Sequence, residues 1–132
     1  MARLSGVDDI AIKVLMNGCE ETTGKRYLDM KSVWYCASVG HAKAVADKIN
    51  AAIAGYLEEH PEERGRINPE YAQTVHGNMP QGEFDAVILN YRNPRGSSAL
   101  TNAMIMTRGF DESQAELCFQ LCPSRSPNKV MQ

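Results

Sequence analysis

No stretch of this 132-residue chain is an uninterrupted apolar run long enough to span a bilayer, and the opening MARLSGVDDI holds no apolar signal core. These absences predict a cytoplasmic chain with no membrane partner. A CxxC pair is missing too. The four cysteines are Cys19, Cys36, Cys118 and Cys122, and the last two are separated by three residues where metal and redox motifs need two. Reduced thiols are the expectation. Nor is there a strong excess of charge of one sign: 14 Lys and Arg against 16 Asp and Glu give −2. Any contact with nucleic acid must therefore be local. Internal repeats and low-complexity segments are absent. What remains is the composition of one globular domain, 43% hydrophobic and 23% charged, long enough to bury a core and too short for two.

A phosphate-binding P-loop is also missing. GCEETTGKR is the nearest approach, but five residues separate Gly18 from Gly24 where the motif needs four, Arg26 follows Lys25 in place of Ser or Thr, and no apolar strand leads in. The segment reads as a turn. Cys36 with His41 or His76 has the residue types of a thiol nucleophile and base. Cys36, however, lies inside the most apolar strand candidate, where cysteine behaves as a small hydrophobe. Three scattered histidines without matching ligand spacing predict no metal site.

Periodicity supplies the organisation. Residues 7–17 (VDDIAIKVLMN) predict a short helix, and CEETTGKRYLDMK a polar surface connection. SVWYCA at 32–37 is dense in β-formers. Ser38 then stands as an N-cap before an amphipathic helix with Ala42, Val45, Ile49, Ile53 and Tyr56 on one stripe. The charged stretch 58–69 predicts a solvated loop. YAQTVHG at 71–77 predicts a strand, and Pro80 opens a helix to about residue 92 with Phe84, Val87, Ile88 and Tyr91 on its stripe. NPRGSS is a loop, SALTNAMIM and ELCFQLC are strands, and Ser126-Pro127 marks a helix start. Strands alternating with helices predict an α/β three-layer sandwich with a mostly parallel sheet. Ligands collect at the carboxyl ends of such strands, where Ser38, His76-Gly77 and Thr101-Asn102 fall.

Thr107-Arg108-Gly109-Phe110-Asp111 is a further turn in which glycine permits close backbone approach, with a hydroxyl and a carboxylate beside it. Taken in order, VWYCASVGHAKAVADKIN, VHGNMPQGE, LTNAMIMTRGFD and PSRSPNKVMQ resemble the second RecA-like lobe of superfamily 2 helicases and translocases. The branch of the type I restriction motors and DEAD/DEAH-related helicases is most similar, over about residues 31 to 132. The resemblance implies a P-loop-NTPase-type second lobe. In it CASVGHA with Ser38 corresponds to motif IV, facing the nucleic-acid track, and HGNMPQ with Gly77 to the turn after the next strand. Thr101, Asn102 and Thr107 would touch the nucleic-acid backbone. Gly109 and Asp111 resemble motif V beside the nucleotide, and Gln132 the first residue of motif VI, usually Gln-x-x-Gly-Arg-x-x-Arg.

On this reading the chain is truncated just inside motif VI. The arginine fingers of that motif and the first lobe, with its P-loop lysine and magnesium ligand, lie outside it, so ATP and Mg would bind only when that lobe is present. The isolated chain is predicted not to hydrolyse ATP. Its expected partners are DNA, or RNA, and the first helicase lobe. Two positions depart from the pattern: Phe84 stands where an arginine is usual, and Arg108 where a glutamate is. Both are compatible with a degenerate remnant, and Phe84, the missing arginines and the net negative charge favour the alternative, a degenerate non-enzymatic module that binds a protein or nucleic acid without nucleotide.

Overall fold

The computed structural model describes residues 2–93, 96–103 and 115–121, with side chains from residue 7 onward. In chain order the described elements are α1 (Ala2–Asn17), β1 (Ser32–Tyr35), α2 (Val39–Glu59), β2 (Ile67–Val75), α3 (Gln81–Tyr91), β3 (Ser97–Asn102) and β4 (Leu117–Gln120), with short 3-10 helices at Tyr27–Asp29 and Pro61–Arg66. The four strands form one all-parallel sheet in the order β2-β3-β1-β4. Helices cover both faces, an α/β three-layer sandwich consistent with a small RecA-like domain.

The faces follow from the order. The chain crosses from β1 over β3 to β2 through α2, then steps back to β3 through α3. Right-handed crossovers running in opposite directions put their helices on opposite faces. Accordingly, α1 and α2 pack with Trp34, Ala72 and Ala99 on one side, and α3 packs with Val33, Val75 and Leu100 on the other. Val45, Ile49 and Leu100 are fully buried; burying each such side chain stabilises the fold by roughly 1.5–3 kcal/mol. Trp34 stacks on Phe119 of β4 with ring centroids 4.0 Å apart, and its indole N–H donates to Ser32 Oγ at 2.9 Å. The largest core side chain is thereby both packed and satisfied.

Between α1 and β1 the chain closes a tight turn. Cys19 bridges Arg26 in antiparallel fashion, and Gly24 takes φ +74°, a left-handed conformation that favours glycine. The Glu20 carboxylate accepts from Thr23 N at 2.7 Å and from Thr23 Oγ at 3.0 Å. An amide that a phosphate would need in a P-loop is already occupied by a side chain, in line with the turn read from the sequence. Gly18 is needed for another reason: a Cβ there would lie 2.7 Å from the Tyr27 ring and from Val14 O.

The stretch expected as a solvated loop at 58–69 is instead structured. Residues 61–66 wind into a 3-10 helix, and β2 begins at Ile67, four residues before the predicted strand. Glu63 accepts from Arg26 at 2.7 Å and from Tyr56 at 2.8 Å, so part of the charge cluster is a pinned network. Pro69 is tolerated because β2 is an edge strand, and its register shifts between Ile67 and Ala72. The Asn50 side chain then pairs with both backbone groups of Ala72, donating at 3.0 Å and accepting at 2.9 Å.

Candidate functional site at the carboxyl ends of the strands

Three neighbouring strands end in register. Tyr35 of β1 and Val75 of β2 both face Asn102 of β3, and Cys36 N donates to Asn102 O at 2.8 Å. Ser38 and Gly77 therefore follow strands that end level with Asn102, at the carboxyl edge of the sheet. Ser38 is exposed and caps α2, its Oγ accepting from His41 N at 3.0 Å. The positive end of the α2 dipole points at the rim, and Lys43 is exposed one turn further along. Gly77 is exposed, and an added Cβ would meet nothing within 4 Å.

Thr101 requires a correction. Expected to hold a nucleic-acid phosphate, it is fully buried, its hydroxyl 2.9 Å from Ala42 O and 2.8 Å from Thr74 Oγ. Its hydroxyl ties the sheet to α2 and does not reach the surface. Asn102 is fully buried as well, but among the described residues neither its Oδ1 nor its Nδ2 has a hydrogen-bond partner. Leaving such a group unpaired costs about 1–3 kcal/mol. A cost of that size at a strand's carboxyl end calls for an explanation. Thr107, Gly109, Asp111 and Gln132, with Arg108 and the helix start at Ser126-Pro127, lie outside the described residues.

Beside this rim lies a pair invisible to sequence inspection. His41 Nε2 lies 3.0 and 3.2 Å from the two Asp8 oxygens, and His41 Nδ1 accepts from Ala37 N–H at 3.0 Å. Because Nδ1 is an acceptor, Nε2 carries the proton and donates to Asp8. The arrangement resembles a catalytic carboxylate–histidine pair but cannot act as one on Ser38, since the nitrogen that would take a proton already holds a backbone amide. Both imidazole nitrogens being taken, His41 is no base for Cys36 either, and Cys36 is buried with its Sγ 3.9 Å from Trp34 O. The signal in the sequence was slight: one of two adjacent aspartates in an apolar helix and one histidine 33 positions away.

Arg26 forms a second polar centre, away from the rim. Its guanidinium binds Asp29, Glu63 and the Tyr56 hydroxyl. Hydrogen bonds from Arg26 and then Tyr56 hold the Glu63 carboxyl down at about 2. His60, Glu62 and Glu63 bring ligand atoms within 4.8 Å of one another, but both Glu63 oxygens are engaged by Arg26 and Tyr56. The trio belongs to the ion-pair network. Phe84, where the resemblance has an arginine, packs partly buried against the core formed by Val33, Val75, Tyr91 and Leu100.

Among the described residues no helix is long and apolar enough to cross a membrane. Comparison with known protein families, with curated proteins and with solved structures gives no match to this chain.

Proposed function

We propose that the domain is the second lobe of an ATP-dependent nucleic-acid helicase or translocase and contributes one wall of a cleft, contacting the polymer backbone from the rim where the Ser38, Gly77 and Asn102 segments end, with Asn102 itself buried. The observation that supports this reading most is the convergence of those three segments. Each carries a motif of the resemblance, each follows a different strand, and the strands are neighbours ending in register. The unpartnered Asn102 amide adds to it, being a donor and acceptor held ready behind the rim. Thr101 has no part in the contact. Gly109, Asp111 and Gln132, which the resemblance puts beside ATP, lie outside the described residues, so no step of hydrolysis is derived.

Binding of a fluorescent single-stranded oligonucleotide at increasing salt tests the proposal. Backbone contact predicts a log–log slope of about −0.7 for each phosphate neutralised. Gly77→Glu places a carboxylate on the rim where space is open, so it leaves the fold intact and weakens binding. No binding at low salt, or binding indifferent to Gly77→Glu, would favour the non-enzymatic protein-docking alternative.

A further inference from the structure

We propose that the opposite, amino edge of the sheet binds the phosphate group of a small phosphorylated molecule. Every strand contributes a residue at or just before its start: Lys31 before β1, Gly65 and Arg66 before β2, Gly96 and Ser97 at β3, and Glu116 before β4. Since all four strands are parallel, these positions meet at one edge. Together with Lys25 and Asp29 they line a cavity of about 500 Å³. Among the described lining residues, the cations Lys25, Lys31 and Arg66 against the carboxylates Asp29 and Glu116 leave one positive charge.

The hydroxyl of Ser97 gives the cavity its purpose. Ser97 is only 4% exposed, it lines the cavity, and among the described residues its Oγ has no hydrogen-bond partner. A buried hydroxyl carries a desolvation cost unless a partner arrives, and an oxoanion is such a partner. Lys25, Lys31 and Arg66 line the same cavity. Lys31 Nζ donates to the carbonyls of Asn93 and Gly96, at 2.8 and 2.9 Å, which fixes its charge on the wall just past the negative end of α3. Arg66 is 59% exposed and holds Asp29 through one nitrogen at 3.3 Å, leaving its fork open for a second, bidentate partner. Lys25 pairs with Glu116 at 2.9 Å. Burial pushes the Glu116 carboxyl up, but bonds from Lys25 and from the Lys31 amide outweigh it and hold the group below the usual carboxylate range.

Room for the rest of the molecule adjoins. A cleft of about 350 Å³ shares Gly65 and Gly96 with the first cavity and is lined further by Asn68, Glu70, Asn90 and Asn93. Gly96 lies on the wall that the two share. A Cβ there would sit 2.9 Å from Asn68 N and 3.1 Å from Arg66 O, so only glycine lets the backbone itself form the shared wall. Amide-rich walls suit a polar, hydroxyl-bearing body.

Titration of the isotope-labelled chain with inorganic phosphate, followed by amide chemical shifts, tests the site. Saturable shifts are expected at Gly65, Gly96 and Ser97. Arg66→Gln, an exposed change, should weaken binding about tenfold, the size of one lost charge-assisted hydrogen bond. Ser97→Ala should weaken it several-fold while holding or raising the melting temperature, because it removes an unpartnered buried hydroxyl; a purely structural Ser97 would give the opposite thermal result. Ribose 5-phosphate should bind tighter than inorganic phosphate and add shifts at Asn68 and Asn90. The assignment is overturned by equal shifts with acetate or chloride at matched ionic strength, by retained affinity in Ser97→Ala, or by no gain from the sugar. The site lies at the other end of the sheet from the proposed nucleic-acid rim, so either can fail alone.

Discussion

Removal of the Asp8 carboxylate should loosen α1 from the rest of the domain, and the size of the effect can be worked from the contacts. Asp8 is 4% exposed, and both of its oxygens lie within 3.2 Å of His41 Nε2. A neutral imidazole has one proton at that nitrogen, so the two distances describe one shared hydrogen bond to a charged acceptor, about 1.5–3 kcal/mol. Asp8→Ala loses that bond and strands the His41 N–H where its side chain is 11% exposed. Asp8→Asn keeps a carbonyl acceptor of similar shape and should lose only the difference between a charge-assisted and a neutral bond, about 1 kcal/mol. Urea unfolding of Asp8→Ala, His41→Ala and the double variant forms a cycle whose coupling term isolates the pair. A coupling energy below about 0.5 kcal/mol, the ordinary scatter between independent sites, would refute the reasoning. Equal losses for Asp8→Asn and Asp8→Ala would refute the part that depends on the bond, leaving only packing.

Further outcomes follow from other contacts. Glu63 has a folded value of about 2 against an ordinary 4.5, so its ion-pair contribution is fully present above pH 4.5 and is lost as pH falls toward 2. Glu63→Gln should flatten the acid limb of stability between those two values, read from denaturation midpoints across pH. Thr101→Val keeps the shape but removes the hydroxyl that binds Ala42 O and Thr74, at a cost of about 1–2 kcal/mol. Oligonucleotide affinity should be unchanged in that variant, and a loss of affinity without a loss of stability would restore Thr101 to the nucleic-acid surface.

Local features were legible and distant ones were not. The α2 stripe was readable because a helix repeats its core face every three or four residues, and Ala42, Val45, Ile49 and Ile53 are buried as that spacing demands. Ser38 as a cap needed only its own side chain and the next turn. The parallel sandwich followed from the alternation of strand and helix patterns. By contrast, the charged stretch 58–69 reads as solvated until Arg26, 37 positions from Glu63, is brought against it. Pro69 signals a break unless β2 is known to be an edge strand. Thr101 and Asn102 read as rim residues because polar groups usually mark a strand's end. Their burial comes from β3 lying between two other strands with helices on both faces, which no neighbour in the sequence reports. The amino-edge cavity was invisible for the same reason: its residues flank four strands, and only the parallel order puts them together.

The most direct measurement is the footprint of a single-stranded oligonucleotide on the amide resonances of the chain at low salt. The helicase-lobe reading predicts shifts centred on Ser38, Gly40, Gly77 and Asn78, fading as salt is raised. A footprint confined to Gly65 and Gly96, or none at any salt, would contradict it.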